Sequence, residues 1–155
     1  MEDMTRIPPH SVESEQSILG SILLDKEAII TVSETINPDD FYKEAHKIIY
    51  ESMIKLSNKS EPIDLITLTE ELKKQGHLDD VGGISYITSL STIVPTTSNV
   101  KYYADIVKEK SVLRKLIKVS NDIINFVKKK LPFLALRHSF CLLYTSPSPR
   151  DPKTS

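Results

Sequence analysis

The sequence is poor in the residues that dedicated chemistry requires. Its 155 residues include one cysteine, four glycines, four histidines and no tryptophan. A lone cysteine excludes an intrachain disulfide framework and a Cys-rich zinc site, and the scattered histidines form no HExxH pair. No metal site is expected. Gly20, Gly76, Gly82 and Gly83 are the only glycines, so neither the GxxxxGK[ST] phosphate loop nor the GxGxxG dinucleotide turn can be written anywhere in the chain. Nucleotide hydrolysis by this polypeptide is therefore not expected, and no catalytic or cofactor-binding residue is assigned. The formal net charge of -1 argues against a surface devoted to nucleic acid, although a local basic stripe is compatible with it. No apolar run approaches the roughly 18 to 20 residues that cross a bilayer, and the opening MEDMTRIPPH lacks a signal-peptide core. The expectation is a cytoplasmic protein with no membrane partner.

What is present is helical periodicity. In SVESEQSILGSILLD, Val12, Ile18, Leu19, Ile22 and Leu23 recur at three- and four-residue steps, predicting a helix from Val12 to Leu24 with Ser11 as N-cap. Glu13 and Glu15 in its first turn suit the positive end of the helix dipole. Asp25 is read as the cap of a short helix carrying Ala28, Ile29, Val32 and Ile36. Asn37-Pro38-Asp39-Asp40 supplies a capped turn with Pro at the first helical position, and Phe41, Ala45, Ile48, Ile49, Met53 and Leu56 stripe a third helix ending near Ser57. Thr67 and Glu70 read as a Thr-x-x-Glu capping box for a helix closed by Gly76. Gly82-Gly83 breaks the chain before ISYITSLSTIV, which Pro95 ends. Asn99 is read as the cap of a last helix of roughly 28 residues, about 42 Å long at 1.5 Å per residue. Its seam is Tyr103, Ile106, Leu113, Ile117, Ile124 and Val127, widened by Tyr102, Leu116, Val119 and Ile123. That is more apolar surface than one partner helix covers. Two readings stay open: a core helix of a larger bundle, or a protruding helix that pairs with another copy or another protein. All elements are helical, so the fold class is all-α.

After Val127 the periodicity is lost, and Pro, Ser and basic residues concentrate in the tail. Composition allows a disordered tail over residues 128–155. A more specific reading concerns CLLYTSPSPRD, residues 141–151, which resembles a translated sequencing adapter codon for codon. On that reading the residues from Cys141 onward are not native and residues 128–140 are a frame-shifted or divergent join. The single cysteine then lies inside the adapter-like peptide and says nothing about redox compartment.

Read together, RIPPHSVESEQSILGSILLD, INPDDFYKEAHKIIYESMIKL, EPIDLITLTEELKKQG and DVGGISYITSLSTIVPTTSNVKYYADIVKEKSVLRKLI closely resemble, in order and spacing, the N-terminal domain of the DnaB-type bacterial replicative DNA helicase. The resemblance covers residues 6–127. It implies a small multi-helix head over residues 11–98 after an extension of residues 1–10, then the first helix of a helical hairpin over residues 99–127. The second hairpin helix, a linker and a RecA-like motor would lie outside this chain. ATP and Mg are then expected only for that motor, as is the contact with single-stranded DNA, and this fragment is expected to be inactive as an enzyme. The partners implied are other helicase subunits in a homo-oligomer, primase, and a helicase loader or initiator. The alternative function is a small helical DNA-binding or regulatory protein, which the near-neutral charge disfavours.

The resemblance places Glu13, Tyr86, Ile117 and Ile123 on or near the primase-facing and hairpin surfaces, with Leu113, Leu116 and Ile124 on the same apolar stripe. An uncovered apolar stripe marks a partner site, which favours the isoleucines. Tyr86 reads equally well as a packing residue with its hydroxyl at the surface, and Glu13 as a favourable first-turn charge. His46 is read as a half-buried histidine packed on an aromatic, not as an acid-base group. Lys101, Lys108, Lys110, Arg114, Lys115 and Lys118 read as a solvated helix face.

Overall fold

In a computed structural model, residues 7–94 and 96–131 are described. They form six α-helices and two 3-10 turns, with no strand among the described residues. The helices are α1 (Val12–Leu24), α2 (Ala28–Ser33), α3 (Glu44–Asn58), α4 (Leu65–Gln75), α5 (Gly83–Ile93) and α6 (Val100–Lys130). The adapter-like residues 141–151 lie outside the described residues, as does Pro95. The chain divides after Arg114 into two compact units.

Caps account for most of the helix boundaries. The Ser11 hydroxyl accepts from the Ser14 amide at 3.3 Å and opens α1 as expected. Gly76, at φ +76°, closes α4 in the left-handed conformation that glycine alone adopts without strain. The caps of α2 and α4 and the end of α6 differ from the sequence reading. Asp25 accepts from the Glu27 amide at 2.9 Å in a turn, and the N-cap position of α2 falls on Glu27, which makes no side-chain cap. The cap of α4 is Asp64, not Thr67: its carboxylate takes the Ile66 and Thr67 amides, while the Thr67 hydroxyl accepts from the Asp64 amide at 3.0 Å. Thr67 is thus the third helical residue of the box, and Glu70 bonds Lys73 instead. Ahead of α6, a 3-10 turn at Thr97–Asn99 is capped by the Thr96 hydroxyl, and the helix begins after Asn99 and runs to Lys130.

The largest difference precedes α3. The capped turn read at Asn37–Asp40 is a 3-10 turn, Pro38–Asp40, but the helix read as striped from Phe41 begins only at Glu44, after an extended Phe41. The physical cause lies in α1, where the buried Glu15 carboxylate accepts the Tyr42 and Lys43 amides at 2.6 and 3.4 Å. Those amides are drawn away from the carbonyls a continuous helix would offer them. Phe41 turns into the core instead.

The core of the first unit is built by α1, α3, α4 and α5, with Ile18, Leu19, Ile22, Ile49, Tyr50, Met53, Leu68, Leu72, Ile87 and Leu90 all fully buried. Each such side chain contributes about 1.5 to 3 kcal/mol of burial. Helices α1 and α5 pack closest at Gly20, where an added Cβ would lie 2.2 Å from the Leu90 carbonyl oxygen. The row of α6 buried in this unit is Val100, Ala104, Val107 and Ser111, not the Tyr103/Ile106 seam read from hydropathy. Small residues permit a close helix approach, and hydropathy does not single out Ala or Ser as a contact row. Tyr103 packs half-buried at the edge of the core.

Candidate docking surface

Three features of the head carry chemistry or a surface. The first is a polar chain that links α1, α3 and α5. Glu15 and His46 are both essentially fully buried, and His46 Nδ1 and Glu15 Oε2 are hydrogen-bonded at 2.6 Å. On the other side of the ring, His46 Nε2 lies 2.7 Å from the Tyr86 hydroxyl, which also accepts from Gln16 Nε2 at 3.2 Å. The imidazole and phenol planes are 6° from parallel, and Phe41 meets the imidazole edge-on. His46 is therefore more buried than its sequence reading allowed, and it has a carboxylate partner. The signal for it was in α1: Glu15 stands three, four and seven residues before Ile18, Leu19 and Ile22, on the core face of the helix. A carboxylate on that face needs partners, because an unpaired buried charge is costly.

The second feature fastens the start of α6 within the same unit. Asp40 is 0% exposed, accepting from the Ser111 hydroxyl at 2.6 Å, the Lys108 ammonium at 2.9 Å and the Asn37 amide at 3.0 Å. Arg114 donates to the Asp40 carbonyl at 2.6 Å and to the Pro9 carbonyl at 2.8 Å, and its guanidinium sits 5.6 Å from the Tyr42 ring centroid. Tyr42 in turn stacks on His10 at 4.2 Å. Lys108 and Arg114, read from sequence as members of a solvated face, are thus bound to the head. Nothing in local sequence pairs Asp40 with residues 68 to 74 positions later. Nearby, burial pushes the Tyr50 phenol up to about 12, with the Asp40 charge adding to the shift.

The third feature is the apolar stripe of α6. Leu113, Leu116, Ile117, Ile123 and Ile124 are between 37% and 59% exposed, and Val119, Phe126 and Val127 are exposed as well. Such a run of exposed aliphatic side chains on one helix is unusual for a finished surface. Glu13 is exposed near the start of α1, whereas Tyr86 is half-buried and committed through its hydroxyl to His46 and Gln16. The structure thus brings Glu13 and Tyr86 onto elements that pack together, α1 and α5, and leaves the five aliphatic residues on α6. Among the described residues no group of His, Cys, Asp or Glu is arranged to hold a metal ion. No helix among them is long and apolar enough to cross a membrane.

Comparison with known proteins adds independent information. Residues 7–109 match the family described as DnaB-like helicase N terminal domain. The chain is 48% identical over 118 residues to the replicative DNA helicase DnaB of Geobacillus stearothermophilus, covering 76% of this chain and 26% of that protein. It therefore spans about a quarter of the length of that relative. Its fold is similar to the crystal structure of the N-terminal domain of DnaB helicase from Mycobacterium tuberculosis, with a TM-score of 0.77, 39% identity, and 79% of this chain and 85% of that chain covered. It is also similar to a DnaB-like replicative helicase described together with its interactions with primase, with a TM-score of 0.66, 25% identity, and 89% and 36% covered.

Proposed function

Because the chain belongs to the DnaB-like helicase N-terminal domain family, we propose that it is the collar domain of a replicative helicase, serving ring assembly and primase docking in DNA replication. The observation that carries this reading is the exposed aliphatic stripe of α6, which a working protein has to cover. Helicase activity belongs to the rest of the parent protein. The present sequence has no phosphate loop, so the proposal assigns no step of ATP chemistry to this chain. ATP, Mg and single-stranded DNA are partners of the motor in this reading, and the setting is the cytoplasm. Helicase subunits and primase contact the collar itself, and a loader or initiator is a further partner. The DNA-binding regulator is not favoured, since relatives and solved neighbours alike are replicative helicases.

Leu113, Leu116, Ile117, Ile123 and Ile124 supply the apolar docking row in this proposal; Glu13 and Tyr86, on α1 and α5 of the first unit, are proposed separately as partner-binding residues. The test uses a full-length relative. Ile117→Asp or Ile123→Asp places a carboxylate on the row, where burial against a partner would leave it desolvated. The expected result by calorimetry is at least tenfold weaker primase binding with the thermal unfolding of the head unchanged. Unchanged affinity rejects the assignment.

A further inference from the structure

The segment that leads into α3 holds two helix starts of unequal quality. At the first, the Asp40 carboxylate reaches back to accept the Asn37 amide at 3.0 Å, as the third residue of a capping box does, and Pro38 stands at the head of the turn. This well-made start ends after one turn. At the second, α3 begins behind Lys43, which makes no side-chain cap. Joining the two would need bonds from the Tyr42, Lys43 and Glu44 amides to the Pro38, Asp39 and Asp40 carbonyls, each four residues earlier. Charged side chains from other helices contest all of them. The Tyr42 and Lys43 amides go to the Glu15 carboxylate of α1 at 2.6 and 3.4 Å, and the Asp40 carbonyl accepts from Arg114 of α6 at 2.6 Å. Apolar packing does not impose the break. Phe41 stands four residues before Ala45 and eight before Ile49, so a continuous helix would keep it on the core row.

We propose that residues 38–43 are a charge-held helix break, in which Glu15 and Arg114 keep the segment extended and loss of the Glu15 charge lets α3 grow backward to Pro38, loosening the hold on α6. An amide N–H only donates, so Glu15 is the acceptor in both bonds wherever the proton of its contact with His46 lies. A neutral carboxyl keeps its lone pairs but loses charge assistance, which leaves each bond roughly half as strong. The competing bonds to the Pro38 and Asp39 carbonyls involve no charge and keep their strength. Helix growth turns Tyr42 away from His10 and Arg114, which its ring now meets, and sets the Glu44 amide against Arg114 for the Asp40 carbonyl. The state of a buried side chain of α1 thereby reaches α6 through the backbone of this joint. The groups that face the Glu15 carboxylate are the two amides and the His46 ring, with Tyr86 of α5 behind the ring. The nearby cations of α6, Lys108 and Arg114, are held by Asp40, and Lys47 of α3 is paired with Asp39 at 2.7 Å.

The experiment is NMR on the full, isotopically labelled chain at neutral pH. In Glu15→Gln, contacts between Hα and the amide three residues on are expected to appear across residues 38–43. The Tyr42–His10 ring contact is expected to fall by about half, and amide exchange in residues 108–114 to quicken by roughly threefold or more. Adding Pro38→Gly, which weakens the upstream start, should abolish the new helical contacts. A merely stabilising Glu15 gives a different pattern, faster exchange throughout the head with residues 41–43 still extended, and that result overturns the proposal. If Glu15→Gln does not fold, the unaltered chain decides. On acidification the helical contacts across 38–43 should rise in step with protonation reported by the Glu15 carboxyl carbon signal, and a segment that stays extended through that titration refutes the proposal.

Discussion

Asp40→Ala is the most informative single perturbation of the head, because it removes the carboxylate where the 3-10 turn meets α6. The lost bonds differ in weight. The Ser111 hydroxyl is 1% exposed and would be left without its acceptor at 2.6 Å, a charge-assisted bond worth about 1.5 to 3 kcal/mol. Lys108 retains a 38% exposed side chain that water can solvate, so its share is at most about 1 kcal/mol. The Asn37 amide adds a fraction more. The expected destabilisation is about 3 kcal/mol, lowering Tm by roughly 12 °C at about 4 °C per kcal/mol for a domain of this size. Ser111→Ala alone is expected to cost about half as much. The double variant should be less destabilised than the sum, with a coupling of about 1 kcal/mol or more. Denaturant unfolding measures the free energies, and hydrogen exchange locates them, with protection lost first in residues 100–111. An Asp40→Ala protein within about 0.5 kcal/mol of the parent, or a cycle with no coupling, would show that the carboxylate does not hold α6 to the head.

Further outcomes follow from particular contacts. Gly20→Ala should destabilise by about 1 to 3 kcal/mol despite alanine's better helix propensity, since its Cβ meets the Leu90 carbonyl oxygen at 2.2 Å and Val94 Cγ2 at 2.5 Å; a raised Tm would refute the close packing of α1 on α5. Asp64→Ala should cost about 1 kcal/mol at pH 7 by uncapping α4. Hydrogen bonds from the Thr67 amide hold the Asp64 carboxyl below its usual value, so its contribution is present above about pH 4 and lost as the pH falls through the lowered folded value. The variant should therefore lose less stability than the parent on acidification. Tyr50 is raised by burial, so its contribution is intact below about pH 10 and lost as the pH rises towards about 12. Tyr50→Phe should flatten that alkaline loss, and an unchanged profile would show that the phenol does not ionise on unfolding.

Much of the architecture was legible because it is encoded locally. The apolar rows of α1, α3, α4 and α5 repeat at helical steps, and Ser11, Gly76 and Gly82-Gly83 punctuate them where the backbone needs a cap or a positive φ. The α4 boundary was misread for a reason that is itself local: two overlapping boxes start at Asp64 and Thr67, and Asp64 opens the helix two residues after Pro62 and adds nearly a full turn. Glu15 shows the limit of charge-based reading. Its neighbour Glu13 is exposed as a first-turn acid should be, whereas Glu15 falls on the core face and organises the Tyr42 and Lys43 amides and His46.

By itself, the sequence determined the all-helical class, the order of the helices, the family, and the absence of a phosphate loop, since periodicity, caps and motif spacing are properties of neighbouring residues. Only the tertiary structure decided which polar groups are buried and with whom. Glu15 meets His46 across 31 positions, His46 meets Tyr86 across 40, and Asp40 meets Lys108 and Ser111 across 68 and 71. Hydrogen bonds select their partners by distance and angle in space, and chain separation carries no trace of either. The tertiary structure likewise decided that α6 uses Val100, Ala104, Val107 and Ser111 against the head, because close approach depends on small side chains that hydropathy passes over.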